Sequence, residues 1–164
     1  MKVKSLKGFT LVEAVVTIFI ITVISTMAVS SFSQYRKKIF LRNAARVLAA
    51  DYAYLKQKAF AESVHYKMIL DKENNSYKIV KGGINGITSE YDEANAIIRS
   101  LSSFDSDIVF SASSPPNYPH SQIVFEPRGT VSAGSLFLEN SYGSKVKITS
   151  NLTGRVYILF NYGN

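Results

Sequence analysis

The sequence predicts an α+β fold, a long amino-terminal helix packed on an antiparallel β-sheet head, and three observations lead there. No proline or glycine occurs from Phe9 to Val64. Apolar residues crowd every side of the first half of that stretch and keep a three- and four-residue spacing in the second half. After Glu62-Ser63 the apolar period becomes two, and turn residues recur to the end of the chain.

The helix is expected over roughly 9–62. From Phe9 to Tyr35 the only formal charge is Glu13, and Arg36, Lys37 and Lys38 follow. Residues 9–29 are apolar on all sides, as lipid or a tightly packed assembly would demand. At 1.5 Å per residue, Phe9–Tyr35 extends about 40 Å, enough to cross a bilayer with some tilt. Residues 30–62 read as amphipathic, with Tyr35, Ile39, Leu41, Ala45, Leu48, Tyr52, Leu55 and Ala59 forming one stripe. Arg36, Arg42, Arg46, Lys56 and Lys58 lie largely off it.

Residues 63–164 read as a β-rich head. Val64, Tyr66, Met68 and Leu70 alternate with polar residues, Glu73-Asn74-Asn75 turns, and Ser76–Val80 returns as the second arm of a hairpin. Lys81–Asn95, with three glycines and several acids, reads as a surface loop. Further strands are expected at Ala96–Leu101, Ile108–Ala112, Gln122–Phe125, Ser135–Glu139, Lys145–Thr149 and Arg155–Phe160. Three prolines keep Ser113–Ser121 out of any central strand. In Phe125-Glu126-Pro127-Arg128-Gly129, Pro127 presets a turn and Gly129 is free to take a positive φ.

A chain of 164 residues with such a helix leaves room for one head of about 100 residues. It has no cysteine, which removes disulfides, thiol catalysis and thiolate metal sites together. The net charge of +7 is compatible with anionic partners without calling for them. HExxH, P-loop, GxSxG and glycine-rich dinucleotide signatures are all missing. His65 and His120 are far apart and read as solvated surface residues. Asp92-Glu93 and Asp105/Asp107 lack the spacing of a calcium loop. No catalytic residue, metal or cofactor is therefore expected, and the chain reads as a non-enzyme.

Lys7-Gly8-Phe9-Thr10-Leu11-Val12-Glu13 is more specific. A carboxylate carried to mid-bilayer costs roughly 2.5–3.5 kcal/mol, so Glu13 needs a partner or a purpose. The positive end of a helix dipole favours an acid in the first turn, and a nearby ammonium would favour it further. A plain membrane anchor, a secretory signal cut near Ala28-Val29-Ser30 and a buried helix of a soluble core are the alternatives.

The Gly-Phe-Thr-Leu-x-Glu run before an apolar helix resembles the amino terminus of type IV prepilins and pseudopilins. The resemblance implies a leader at 1–8, cleavage after Gly8 by prepilin peptidase, and N-methylation of Phe9. It also implies that Glu13 pairs with the amine of a neighbouring subunit during filament assembly. Losing Lys2, Lys4 and Lys7 with the leader would leave 16 basic side chains against 12 acidic, a net +4. Such a protein sits in the bacterial inner membrane as a single pass, amino terminus cytoplasmic and head outside, before joining a filament. The flanking charges oppose that orientation, because Arg36, Lys37, Lys38, Arg42 and Arg46 outnumber the leader lysines. Large domains can cross despite such a bias.

The head, through Ile123–Gly129 and Thr153-Gly154-Arg155-Val156, is similar to the GspH/FimT branch of that family. These are minor pseudopilins of type II secretion and minor pilins of type IV pili, structural subunits at or near a filament tip. The alternative is a DNA-binding minor pilin of a competence pilus. If Lys145–Thr149 and Arg155–Phe160 pair, Lys145, Lys147, Arg155 and Tyr157 share an outer face suited to phosphate contact and base stacking. Some FimT-like proteins bind DNA here through Gly-Arg-x-Arg; this chain has Gly154-Arg155-Val156-Tyr157, without the second arginine.

Overall fold

The computed structural model describes residues 8–82 and 91–161, without the side chains of 27–31. The expected leader up to Lys7, the middle of the Lys81–Asn95 loop and the cleavage alternative near Ala28 lie outside the described residues. One helix, α1 (Leu11–Glu62), runs through two compact units, the first ending at Arg36 and the second beginning at Lys37.

α1 ends as its sequence allows. Ser63 takes φ +56°, Val64 N–H donates to Ala59 C=O at 3.2 Å, and Ser63 N–H donates to Phe60 C=O at 3.4 Å. This is a Schellman closure with serine in the position glycine usually holds. Val64 and Ala59, both buried, supply the apolar contact that accompanies it.

Among the described residues of the second unit, eight strands form two antiparallel sheets. The first joins β1 (Tyr66–Asp71), β2 (Ser76–Gly82), β3 (Tyr91–Ser100) and β5 (Gln122–Phe125) in the order β3-β2-β1-β5. The second joins β4 (Val109–Phe110), β6 (Gly134–Glu139), β7 (Lys145–Ser150) and β8 (Val156–Asn161) in the order β4-β6-β7-β8. Strict alternation on β1, β5 and β7 turns one face inward, as period two requires.

Three boundaries differ from expectation. β3 begins at Tyr91, inside the expected loop, because its pairing with β2 is broken between Ile79 and Lys81 and resumes at Asp92. The acids there read as loop residues although they lie on an irregular edge. β4 shrinks to two residues, and Arg155 falls one residue before β8.

The stripe on α1 meets both sheets. Leu41, Ala44, Ala45, Leu48, Leu55 and Ala59 are fully buried, together with Met68, Ile123, Phe125, Leu136, Leu138, Val146 and Ile148. Tyr52 meets Phe125 edge-on at 5.5 Å. The Tyr52 hydroxyl donates to Tyr118 (3.2 Å), Tyr118 to Ser150 (2.8 Å), and Ser150 to the Ser132 carbonyl (2.7 Å). That relay satisfies the core hydroxyls in series, and burial pushes the Tyr52 phenol well up. Asp51, nearly buried, accepts from Tyr77 at 2.6 Å and pairs with Arg99 at 3.4 Å.

Lys37 opens the second unit and is held by Asp105 (2.8 Å) and Asp107 (2.5 Å). The hydrogen bond that Lys37 donates to Asp105, then that to Asp107, raises its pKa. At the other end Lys56 donates to the Thr153 carbonyl at 2.8 Å, and its stem lies over Gly154 (φ +72°), where an added Cβ would come within 2.9 Å of Lys56 atoms. Gly129 takes the expected positive φ, +83°.

Candidate functional site

The front of α1 is built by a cap. The Glu13 N–H donates to Thr10 Oγ1 at 3.2 Å, and the Ala14 N–H donates to the Thr10 carbonyl at 3.2 Å. Thr10-Leu11-Val12-Glu13 has the Thr-x-x-Glu spacing of a capping box, a signal the expectation for Glu13 overlooked. Thr10 thereby fixes where the helix starts and sets Glu13 in its first turn, three residues from the cap. Glu13 is exposed, and among the described residues no cation pairs with it.

Gly8 lies outside the helix and is exposed. Among the described residues a Cβ built on it meets no atom within 4 Å. Gly129 and Gly154 answer backbone demands through their positive φ, whereas at Gly8 no described atom would crowd a side chain. Phe9, beside it, is 73% exposed.

Behind the cap, the polar side chains of α1 turn inward on the helix itself. Thr17 donates to Ala14 C=O (2.8 Å), Thr22 to Ile18 C=O (2.8 Å), Ser25 to Ile21 C=O (2.7 Å) and Thr26 to Val23 C=O (2.7 Å). These hydroxyls need no water, a condition lipid or a filament core imposes on polar groups. Leu11, Ile18, Phe19 and Ile24 meanwhile stand at least 62% exposed. Among the described residues no helix is long and apolar enough to cross a membrane. The side chains that end the expected 9–29 span lie outside those residues.

The proposed nucleic-acid patch is brought together in part. β7 and β8 pair with Lys147 opposite Leu159 and Thr149 opposite Tyr157, so Lys145, Lys147 and Tyr157 share one face. Lys145 is occupied: it lies 3.5 Å from Glu139 and donates to Ser113 Oγ at 2.6 Å. Lys147 lies 5.6 Å from the centre of the Phe137 ring. Arg155 lies one residue before β8, exposed, its N–H donating to Asn151 Oδ1 at 2.8 Å. The face is therefore less basic, and more apolar through Phe137 and Leu159, than the spacing suggested.

The remaining titratable candidates do not gather. His65 is half-buried with Nδ1 enclosed and unpartnered, a departure from the solvated residue expected, while His120 is exposed at φ +52°. Asp92 is turned back on Asn95, whose side-chain and backbone N–H groups hold its carboxyl below the usual range. Among the described residues no three His, Cys, Asp or Glu side chains converge as a metal site would need.

The prokaryotic N-terminal methylation motif matches residues 4–29. No curated protein sequence matches the chain. Two solved structures share its fold, both of the minor pseudopilin EpsH from the type II secretion system of Vibrio cholerae. One aligns with TM-score 0.54 at 11% identity over 73% of this chain and 96% of that one. The other gives 0.53 at 10% identity over 77% and 99%. The chain thus carries an amino-terminal methylation motif and shares the fold of a minor pseudopilin.

Proposed function

We propose that the protein is a minor pilin or pseudopilin of the GspH/FimT kind, a structural subunit without catalytic chemistry of its own. Prepilin peptidase removes residues 1–8, Phe9 is N-methylated, and the apolar half of α1 resides in the inner membrane with the head outside. The subunit then enters a helical filament, a type II secretion pseudopilus or a type IV pilus, at or near its tip. One observation supports the reading: among the described residues no cation pairs with Glu13, at the capped front of a helix in which Thr17, Thr22, Ser25 and Thr26 are bonded to helix carbonyls. Once that front leaves water, the carboxylate needs a cation from another chain, because an uncompensated buried charge costs several kcal/mol. The amine freed at Phe9 of a neighbour is a cation that appears only on processing, which couples cleavage to assembly.

The test is a strain lacking the gene, with surface filaments imaged and secreted proteins profiled from one culture. Sparse or missing pili with normal secretion assigns the subunit to a type IV pilus. Normal pili with secreted proteins held back assigns it to a type II pseudopilus. No change in either contradicts the proposal.

A further inference from the structure

Among the described residues the two sheets have four margins, and three are blunted. β4 is two residues long. β5 is four residues long, and its outer side is taken by the returning chain, where Val131 bridges Phe125 and Ser132 N–H donates to Val124 C=O. β3 carries Asp92, Glu93 and Arg99, and its register breaks between Ile79 and Lys81. Short length, cover, charge and irregularity are the devices by which proteins stop sheet edges from pairing with other chains.

β8 is regular and uncharged, and Arg42 of α1 stands over the Phe160 ring at 5.4 Å. Val156–Asn161 contains no charge, proline or glycine and pairs with β7 at all six positions without a break. No strand lies beyond it among the described residues. Tyr157 and Leu159 project from it, 50% and 62% exposed.

We propose that β8 is an interaction surface that adds an antiparallel strand, and that the strand it adds is β8 of a second copy. An uncharged strand meets its own copy without like-charge repulsion. The inward and outward faces must also match, which excludes a one-residue slip. A two-fold axis through Ile158 satisfies this: it sets Tyr157 opposite Leu159 of the second copy, an aromatic–aliphatic pair of the kind that stabilises sheets. Arg155 then falls opposite Asn161 of the second copy, so the two arginines stay apart. The two β4-β6-β7-β8 sheets become one sheet of eight strands. Two six-residue strands bury less than the roughly 1,200 Å² of stable interfaces, so the association is weak and concentration-dependent.

The natural absence of cysteine makes register readable by cross-linking. The full-length chain, purified in detergent, is oxidised as the double variant Tyr157→Cys/Leu159→Cys and as each single variant. The double variant is expected to give about tenfold more covalent dimer than either single one, since only opposed residues meet disulfide geometry. In parallel, Leu159→Lys is expected to lower the dimer fraction of the cysteine-free chain in sedimentation. The proposal is overturned if a double variant with parental thermal unfolding gives no dimer. It is overturned equally if the single variants cross-link as well, if Leu159→Lys leaves the dimer fraction unchanged, or if in native membranes the double variant cross-links to another protein and not to itself.

Discussion

The two halves of α1 share one backbone and differ in what they touch. Between Leu11 and Ile24 ten large apolar residues stand exposed, whereas Leu41, Leu48 and Leu55 are fully buried under the head. Leaving ten such side chains in water forgoes about 15–30 kcal/mol of burial. That exceeds the 5–15 kcal/mol by which whole domains are stable. The second half is covered by its own chain; the first is left exposed among the described residues. The comparison teaches that one helix carries two separate contracts, so that substitutions in the two halves should fail in different assays.

The largest contrast is expected at Glu13. Glu13→Leu should leave membrane insertion intact and cut incorporation into filaments by more than about 100-fold, the scale of an unpaired buried charge. The readout is the ratio of filament-bound to membrane-bound subunit, and normal incorporation would remove Glu13 from the account. In the second half Leu48→Ala should cost the head about 2–5 kcal/mol. Ile18→Ala should shift the same denaturation transition by no more than about 0.5 kcal/mol. Equal shifts would erase the distinction between the halves.

Smaller effects probe how the head grips the helix. Gly154→Ala forces a left-handed φ and a contact with Lys56, and about 1–3 kcal/mol should be lost in chemical denaturation. Charge gives the gentlest effect. The hydrogen bond from Lys81 (2.7 Å), then that from Tyr66 (2.8 Å), holds the Glu62 carboxyl below its usual range. A depressed carboxyl stabilises above its unfolded pKa and ceases to as pH falls through the folded one. The thermal midpoint should therefore drop as pH falls below about 4, and Glu62→Gln should flatten that slope. For Lys37, raised by Asp105 and Asp107, the sign reverses: its contribution holds at neutral pH and fades as pH rises beyond about 10.4.

Much of this was legible in the sequence for physical reasons. The Phe9–Val64 stretch lacks helix breakers, so its helix appears over Leu11–Glu62, and the stripe from Leu41 to Ala59 is the buried one. Six of the eight strands lie close to where period two set them. β3 was partly hidden because a broken register obscures alternation at its acidic start. The neutralisation of Lys145 by Glu139 was not legible, because it depends on which residues β6 and β7 set opposite one another. Thr10 was readable and overlooked: its spacing to Glu13 states the cap outright. His65 could not be read, since the enclosure of one ring nitrogen follows from neighbours distant in sequence.

The account turns on whether Gly8–Phe9 is a processing junction, and the mass of the protein's amino-terminal peptide, taken from the source cell's membranes, tests this directly. The account predicts a peptide beginning at Phe9 and carrying one added methyl group, with Gly8→Val leaving the uncut chain. An amino terminus at Met1, or one created near Ala28, would contradict it.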